Sequence, residues 1–113
     1  MLVQSFSGIR GIYDKELNED IARRYAFVFN NFLKKRNRNP LVVIGNDPRK
    51  SSEPLKKAML DIFYNIIDVG IATTPMIELA VREYAKKYGA VGGVIITASH
   101  NPKKENGFKF LGT

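Results

Sequence analysis

The sequence predicts a three-layer α/β domain with a mixed, mostly parallel sheet, and two observations carry that expectation. Short apolar runs rich in Val and Ile alternate with amphipathic segments long enough to act as crossover helices. Leu41-Val42-Val43-Ile44 is apolar without alternation, the mark of a strand covered on both faces. At 113 residues the chain holds one domain with one core, so we expect a single α/β unit over 1–113.

Residues 1–13 read as a short extended segment in which Ser7-Gly8-Ile9-Arg10-Gly11 sets an arginine between two glycines. Glycine permits a positive φ or a close approach to the backbone. Arg10 is therefore either poised to meet an anion or exposed on an ordinary turn. Asn18 is a good N-cap, with Glu19 and Asp20 in the first turn of the first helix. Ile21, Tyr25, Val28, Phe29, Phe32 and Leu33 recur at helical spacing and are expected to form its buried stripe. Lys34, Lys35 and Arg36 close that helix, and 37–40 is a loop.

After the strand at 41–44, Gly45-Asn46-Asp47-Pro48-Arg49-Lys50-Ser51-Ser52 runs into a second helix. Its cap is Ser51, Ser52 or Glu53. A loop, a helix start and Arg49 coincide there, which suits an anion; alternatively Asp47 pairs with Arg49 or caps the turn and nothing binds. Leu55, Ala58, Met59, Ile62, Phe63 and Ile66 are expected on one face of this helix, and 67–72 as a shorter strand. Thr74-Pro75 opens a third helix faced by Ile77, Val81, Tyr84, Ala85 and Tyr88, and Gly89 ends it. The helices are expected to run about 14 to 18 residues, long enough for crossovers. Ala90 to Ala98 reads as a strand, and Gly92-Gly93 inside it implies that something packs close to its backbone. Phe108-Lys109-Phe110-Leu111 is the final strand, antiparallel because the preceding loop is too short to hold a helix.

Between those last two strands lies Thr97-Ala98-Ser99-His100-Asn101-Pro102. Ligands of open α/β sheets bind at the carboxyl ends of strands, where Ser99 falls. His100 is the only histidine, and its adjacency to Ser99 is wrong for a hydrolase triad. No Gly-x-Ser-x-Gly elbow, Walker-type phosphate loop or Gly-x-Gly-x-x-Gly fingerprint is present. Cys is absent, which excludes disulfides and thiolate metal sites. The net charge of +7 favours an anionic partner or serves solubility. The cations that matter are those expected in loops: Arg10, Arg49, Lys103, Lys104 and Lys109. A serine at a strand end among such cations suits phosphate handling; a structural serine in a turn is the alternative. The sequence has no apolar run of transmembrane length, no signal peptide and no nucleic-acid motif. The cytoplasm is the expected location, with neither membrane nor nucleic acid as a partner.

Thr97 to Pro102 resembles the phosphoserine loop of the α-D-phosphohexomutases, the phosphoglucomutase/phosphomannomutase family. Ser7 to Gly11 is similar to the family's Ser-Gly-Ile-Arg-Gly, Gly45 to Ser52 to its Gly-x-Asp-x-Arg-x-Ser-Ser, and Asn106 to Lys109 to its Asn-Gly-Phe-Lys. Asp68-Val69-Gly70 and Thr74-Pro75 fit the same pattern. Gln4-Ser5-Phe6 stands where the family commonly has Phe-Gly-Thr, so the threonine of that pattern is missing.

The resemblance implies domain I of such an enzyme, with domains II to IV outside these residues. It implies that phosphorylated Ser99 gives its group to a hexose phosphate and recovers another from the bisphosphorylated sugar. Phosphate thereby moves between the 1- and 6-positions. It gives Arg10 and Lys109 catalytic roles, and Ser7, Arg49, His100 and Asn101 contacts to phosphate or its surroundings. It implies Mg²⁺, to which this chain would lend only the phosphoserine oxygen of Ser99, and hexose 1,6-bisphosphate as activator. The partners it implies are a hexose phosphate and the remaining domains, on this chain or another. Faces left bare by those domains would favour self-association. The alternative is a non-catalytic module that binds phosphorylated ligands or an acidic partner.

Overall fold

The computed structural model describes residues 4–90, 92–98 and 105–112, residues 4–8 by their backbone alone. The elements are β1 (Gln4–Ile12), α1 (Glu19–Lys34), β2 (Leu41–Asn46), α2 (Ser52–Leu60), β3 (Asn65–Ile71), α3 (Thr74–Tyr88), β4 (Gly92–Ile96) and β5 (Glu105–Gly112). One sheet holds the strands in the order β1-β5-β4-β2-β3. β2 pairs in parallel with β3 and β4, whereas β5 runs antiparallel to both β4 and β1. Four strands therefore point one way and β5 points back, as the short connection before it requires.

Helices α1 and α2 cover one face and α3 the other, which makes three layers. β2 shows why its sequence does not alternate. Val42 and Ile44 pack under α1 and α2, Val43 packs under α3, and all three are fully buried. The glycine pair of β4 has the same cause. A Cβ on Gly92 would come within 2.8 Å of Leu33 Cδ1 from α1, and one on Gly93 within 2.4 Å of Val81 Cγ2 from α3. Helices press on β4 from both sides closely enough to exclude a methyl group.

Both predicted caps form. Asn18 Oδ1 accepts from the Ile21 amide at 2.9 Å, and Gly89 ends α3 at φ 71°. The stripe on α1 needs correction. Ala22, Ala26, Phe29 and Leu33 are buried, while Val28 is 66% exposed and Tyr25 and Phe32 stand at the margin. Two alanines let the helix sit close to the sheet, and the larger residues beside them cannot follow. Tyr88 likewise lies outside the buried face of α3. The second helix is also shorter than expected, at 9 residues. Phe63 still enters the core beyond its end, but Ile66 belongs to β3, which starts at Asn65. β4 is confined to Gly92–Ile96.

Candidate functional site: the carboxyl ends of β2 and β4

β2 ends at Asn46 and β4 at Ile96, side by side in register, and the loops that leave them meet. Asp47 follows β2, and its amide donates to Ile96 O at 3.0 Å. The Asp47 carboxylate gathers four donors. Ser52 Oγ lies at 2.8 Å, the Arg49 amide at 3.1 Å and Arg49 Nε at 2.9 Å, and the Thr97 side chain also donates. Burial pushes this carboxyl group's pKa up, but the hydrogen bonds outweigh that and leave it below the usual range. Asp47 is thus held as an anion.

Arg49 extends the arrangement. Beyond its ion pair with Asp47, Nη1 donates to Glu105 O at 3.2 Å. Thr97 lies two positions before Ser99, and Glu105 opens β5. The Asp47–Arg49 pair thus grips the chain just before and just after the 99–104 segment. The pairing of Asp47 with Arg49, left open by the sequence, is what forms.

Asn106 completes the join. It is fully buried, and its Nδ2 donates to Ser51 Oγ at 2.8 Å and Ser52 Oγ at 2.9 Å. Its Oδ1 accepts from the Gly107 amide at 2.9 Å. Ser51 occupies the cap position of α2 but makes no side-chain cap bond. Its hydroxyl serves β5 instead. Thr97 N donates to Gly107 O at 3.0 Å, which continues the β4–β5 ladder into this corner.

Arg10 and Lys109 come together on adjacent strands. Arg10 stands opposite Gly107 and Lys109 opposite Gly8, so the two cations are diagonal neighbours. A Cβ on Gly107 would lie 2.9 Å from Arg10 Cγ and 2.1 Å from Ile9 O. Arg10 therefore starts out across β5 over Gly107, on the face that Gly107 shares with Lys109. That face is the α3 side, since Lys109 Nζ meets Glu78 Oε1 of α3 at 3.3 Å. Both partners are over a third exposed, so this ion pair is weak and exchangeable. No motif points to Glu78, which in the sequence is an ordinary surface position of a helix.

Arg10 lies in a strand, so the turn alternative does not hold. Ser7 pairs with Phe110 through its backbone, after an irregularity in register between Ser5 and Ser7. Ser99, His100, Asn101, Lys103 and Lys104 lie outside the described residues.

Beside the Asp47 loop a groove of about 1050 Å³ is lined by Ile12, Tyr13, Lys15, Pro48, Arg49, Lys50 and Ser51. These lining residues bring three cations and no carboxylate. Tyr13 donates its hydroxyl to Glu19, and this bond pushes the phenol's pKa up to about 12. Among the described residues no group of three or more His, Cys, Asp or Glu could hold a metal ion. No helix there is long and apolar enough to cross a membrane.

Residues 2–113 match the family described as phosphoglucomutase/phosphomannomutase, alpha/beta/alpha domain I. A phosphoglucomutase/phosphomannomutase of Thermococcus kodakarensis is 43% identical over 109 residues, covering 92% of this chain and 23% of that protein. A phosphoglucosamine mutase of Lacticaseibacillus casei is 37% identical over 113 residues, covering 93% of this chain and 24% of that protein. The crystal structure of a phosphoglucomutase/phosphomannomutase family protein from Burkholderia thailandensis superposes with a TM-score of 0.77 at 28% identity. It covers 92% of this chain and 24% of that one. The chain spans about a quarter of the length of these relatives. The match over residues 2–113, together with a five-stranded mixed sheet between helices, places the chain in the phosphoglucomutase/phosphomannomutase family as its α/β/α domain I.

Proposed function

We propose that this chain is the phosphoryl-carrying domain of a hexose-phosphate mutase, with Ser99 as the carrier. The relatives' names describe mutases of sugar phosphates, an isomerase chemistry. The observation that carries the reading is the corner itself. Arg10 and Lys109 are adjacent cations on one face, and the Asp47–Arg49 pair ties Thr97 to Glu105, the described residues that bracket the serine segment.

In this reading phosphorylated Ser99 gives its group to the free hydroxyl of a hexose monophosphate. The sugar oxygen bonds to phosphorus as the Ser99 oxygen leaves and takes up the hydroxyl proton. The bisphosphorylated sugar then returns its other phosphoryl group to Ser99 by the reverse exchange. Each transfer moves one phosphoryl group and breaks one P–O bond for each that it forms. Arg10 and Lys109 offset charge on the equatorial oxygens of the group in flight. Lys109 acts as a hydrogen-bond donor to those oxygens. Ser7, His100 and Asn101 serve as further contacts to phosphate. Arg49 joins them as the strut beneath the loop.

Mg²⁺ would supply charge neutralisation on the phosphoserine. The described residues do not provide a donor set for it, since the ion takes several oxygen ligands. Because the chain spans about a quarter of its relatives, we expect little or no mutase turnover from it alone with glucose 1-phosphate, glucose 1,6-bisphosphate and Mg²⁺.

The deciding experiment is mass spectrometry after incubation with glucose 1,6-bisphosphate. Phosphate should appear on Ser99 and be absent from Ser99→Ala. Equal labelling of both proteins defeats the assignment. Phosphate binding without any label points to the non-catalytic module instead.

A further inference from the structure

We propose that Lys56 is a positioning residue that fixes the Asp47–Arg49 pair, acting through Asn46. This rests on the reading of Ser99 as the carrier only for its effect on transfer; the positioning itself is a property of the fold.

Lys56 lies on α2, and its side chain is 7% exposed, whereas its neighbour Lys57 faces solvent. Its Nζ meets Asn46 Oδ1 at 2.9 Å, Asp68 Oδ2 at 3.2 Å and Glu53 Oε1 at 3.4 Å. An ammonium group has three protons and no lone pair, so three acceptor residues use it fully. Asn46 is the informative partner. Its amide has a donor end and an acceptor end, and an ammonium can face only the acceptor. With Oδ1 turned to Lys56, Nδ2 must turn the other way, where it donates to Asp47 O at 2.8 Å. Lys56 therefore selects one of two orientations of a 1%-exposed amide, and that orientation pins the Asp47 peptide.

The far end of the arrangement is built into β3. Ile44 pairs with Asp68 and Gly45 with Gly70, so Val69 is an extra residue in the ladder. Gly70 takes φ 76°, and its amide donates to Asp68 Oδ1 at 2.8 Å. A bulge of this kind re-aims a side chain, and here it sets Asp68 against Lys56. Bulge, Asp68, Lys56, Asn46 and Asp47 form one connected path to Arg49 and Thr97. An apolar residue at 56 would take away the ammonium that Asn46 Oδ1 accepts from.

The test uses the 113-residue chain with Lys56→Met, Lys56→Arg and Lys57→Met. Two readouts are taken: NMR exchange of the Arg49 amide and Nε proton, and the rate of Ser99 labelling by glucose 1,6-bisphosphate. Lys56→Met should speed Arg49 exchange by about tenfold or more, the value of one charged hydrogen bond. It should slow labelling by roughly 10- to 100-fold, the range for small displacements of groups that orient a reaction. Lys56→Arg should recover part of both losses, and Lys57→Met should change neither. Should Lys56→Met not fold, Asp68→Ala removes a more exposed partner of the same ammonium and should move Arg49 exchange in the same direction. Arg49 exchange within about twofold of wild type in whichever of these two variants folds overturns the proposal. Loosened Arg49 in a chain whose wild type never labels leaves the positioning standing and defeats the carrier reading instead.

Discussion

Asn106 Nδ2 donates to Ser52 Oγ at 2.9 Å although 54 residues separate them, and Ser52 Oγ in turn donates to Asp47 at 2.8 Å. The opening residues of β5 are thereby fastened to the loop after β2. Asn106 is fully buried, so its bonds form away from water. Replacing Asn106 by Ala leaves the Gly107 amide without its side-chain acceptor and removes a donor from two serines. We expect a loss of about 2–3 kcal/mol, from the penalty for stranding buried polar groups. Thermal unfolding should show this as a drop on the order of 10 °C or more. A fall of only a degree or two would mean that water replaces the side chain.

Gly107→Ala tests the contact beneath Arg10. The new methyl group would meet Ile9 O at 2.1 Å, and a backbone oxygen cannot swing aside as a side-chain tip can. β1 must move away from β5. We expect a cost of about 1–3 kcal/mol, as for other overpacked sites, and accelerated amide exchange in β1. Gly93→Ala meets a side chain, Val81 Cγ2 at 2.4 Å, and should leave β1 exchange unchanged.

Neutralising the paired cations should separate chemistry from folding. Arg10→Gln and Lys109→Met are each expected to slow Ser99 labelling by about 10²-fold, the usual loss for one donor aimed at developing charge. Both melting temperatures should stay close to wild type, because Arg10 is exposed and the Lys109–Glu78 pair contributes little. Labelling at the wild-type rate would remove both residues from the reaction.

Two groups set opposite pH limits. Asp47 has a folded-state pKa below its unfolded value, so it stabilises the fold above the ordinary carboxylate range near about pH 4. That contribution is lost as pH falls through the lowered value, and Asp47→Asn should flatten the acid limb of stability against pH. Tyr13 is raised from 10.0 to about 12, so its contribution is whole below pH 10 and disappears between about 10 and 12. Absorbance titration should show a phenolate step near pH 12 that is missing in Tyr13→Phe. Glu19→Gln should bring that step to lower pH, since Glu19 is the main cause of the shift.

Features with a local cause are legible in the sequence. Asn18, Pro75 and Gly89 act within their own helix turn, and each does what its residue type implies. Gly92-Gly93 signals close packing because two adjacent strand residues without side chains leave both faces of the strand open to a neighbour. The stripe of α1 is harder to place, because periodicity weighs large residues, and Ala22 and Ala26 form the seam by being small. Ile66 passes for helix because a short apolar run fits either period. The bond from Arg49 to Glu105 and those from Asn106 to Ser51 and Ser52 are invisible in the sequence, for they depend on which strands become neighbours. Lys56 is the extreme case. A lysine on a helix reads as solvent-facing, and only the bulge in β3 turns it into a buried anchor. Ser99, His100 and Asn101, the residues on which the functional reading turns, lie outside the described residues.

β5 is the last strand in sequence, yet it sits between β4 and β1. As a growing polypeptide leaves the ribosome, β1 is the first strand to appear and the last to find a neighbour. About a hundred residues must be made before it can dock, since its pairing runs Gln4 with Gly112. Arg10 travels with β1. One cation of the proposed site is thus positioned only once β5 has been made, and a nascent chain stalled before β5 would have much of its core without that corner.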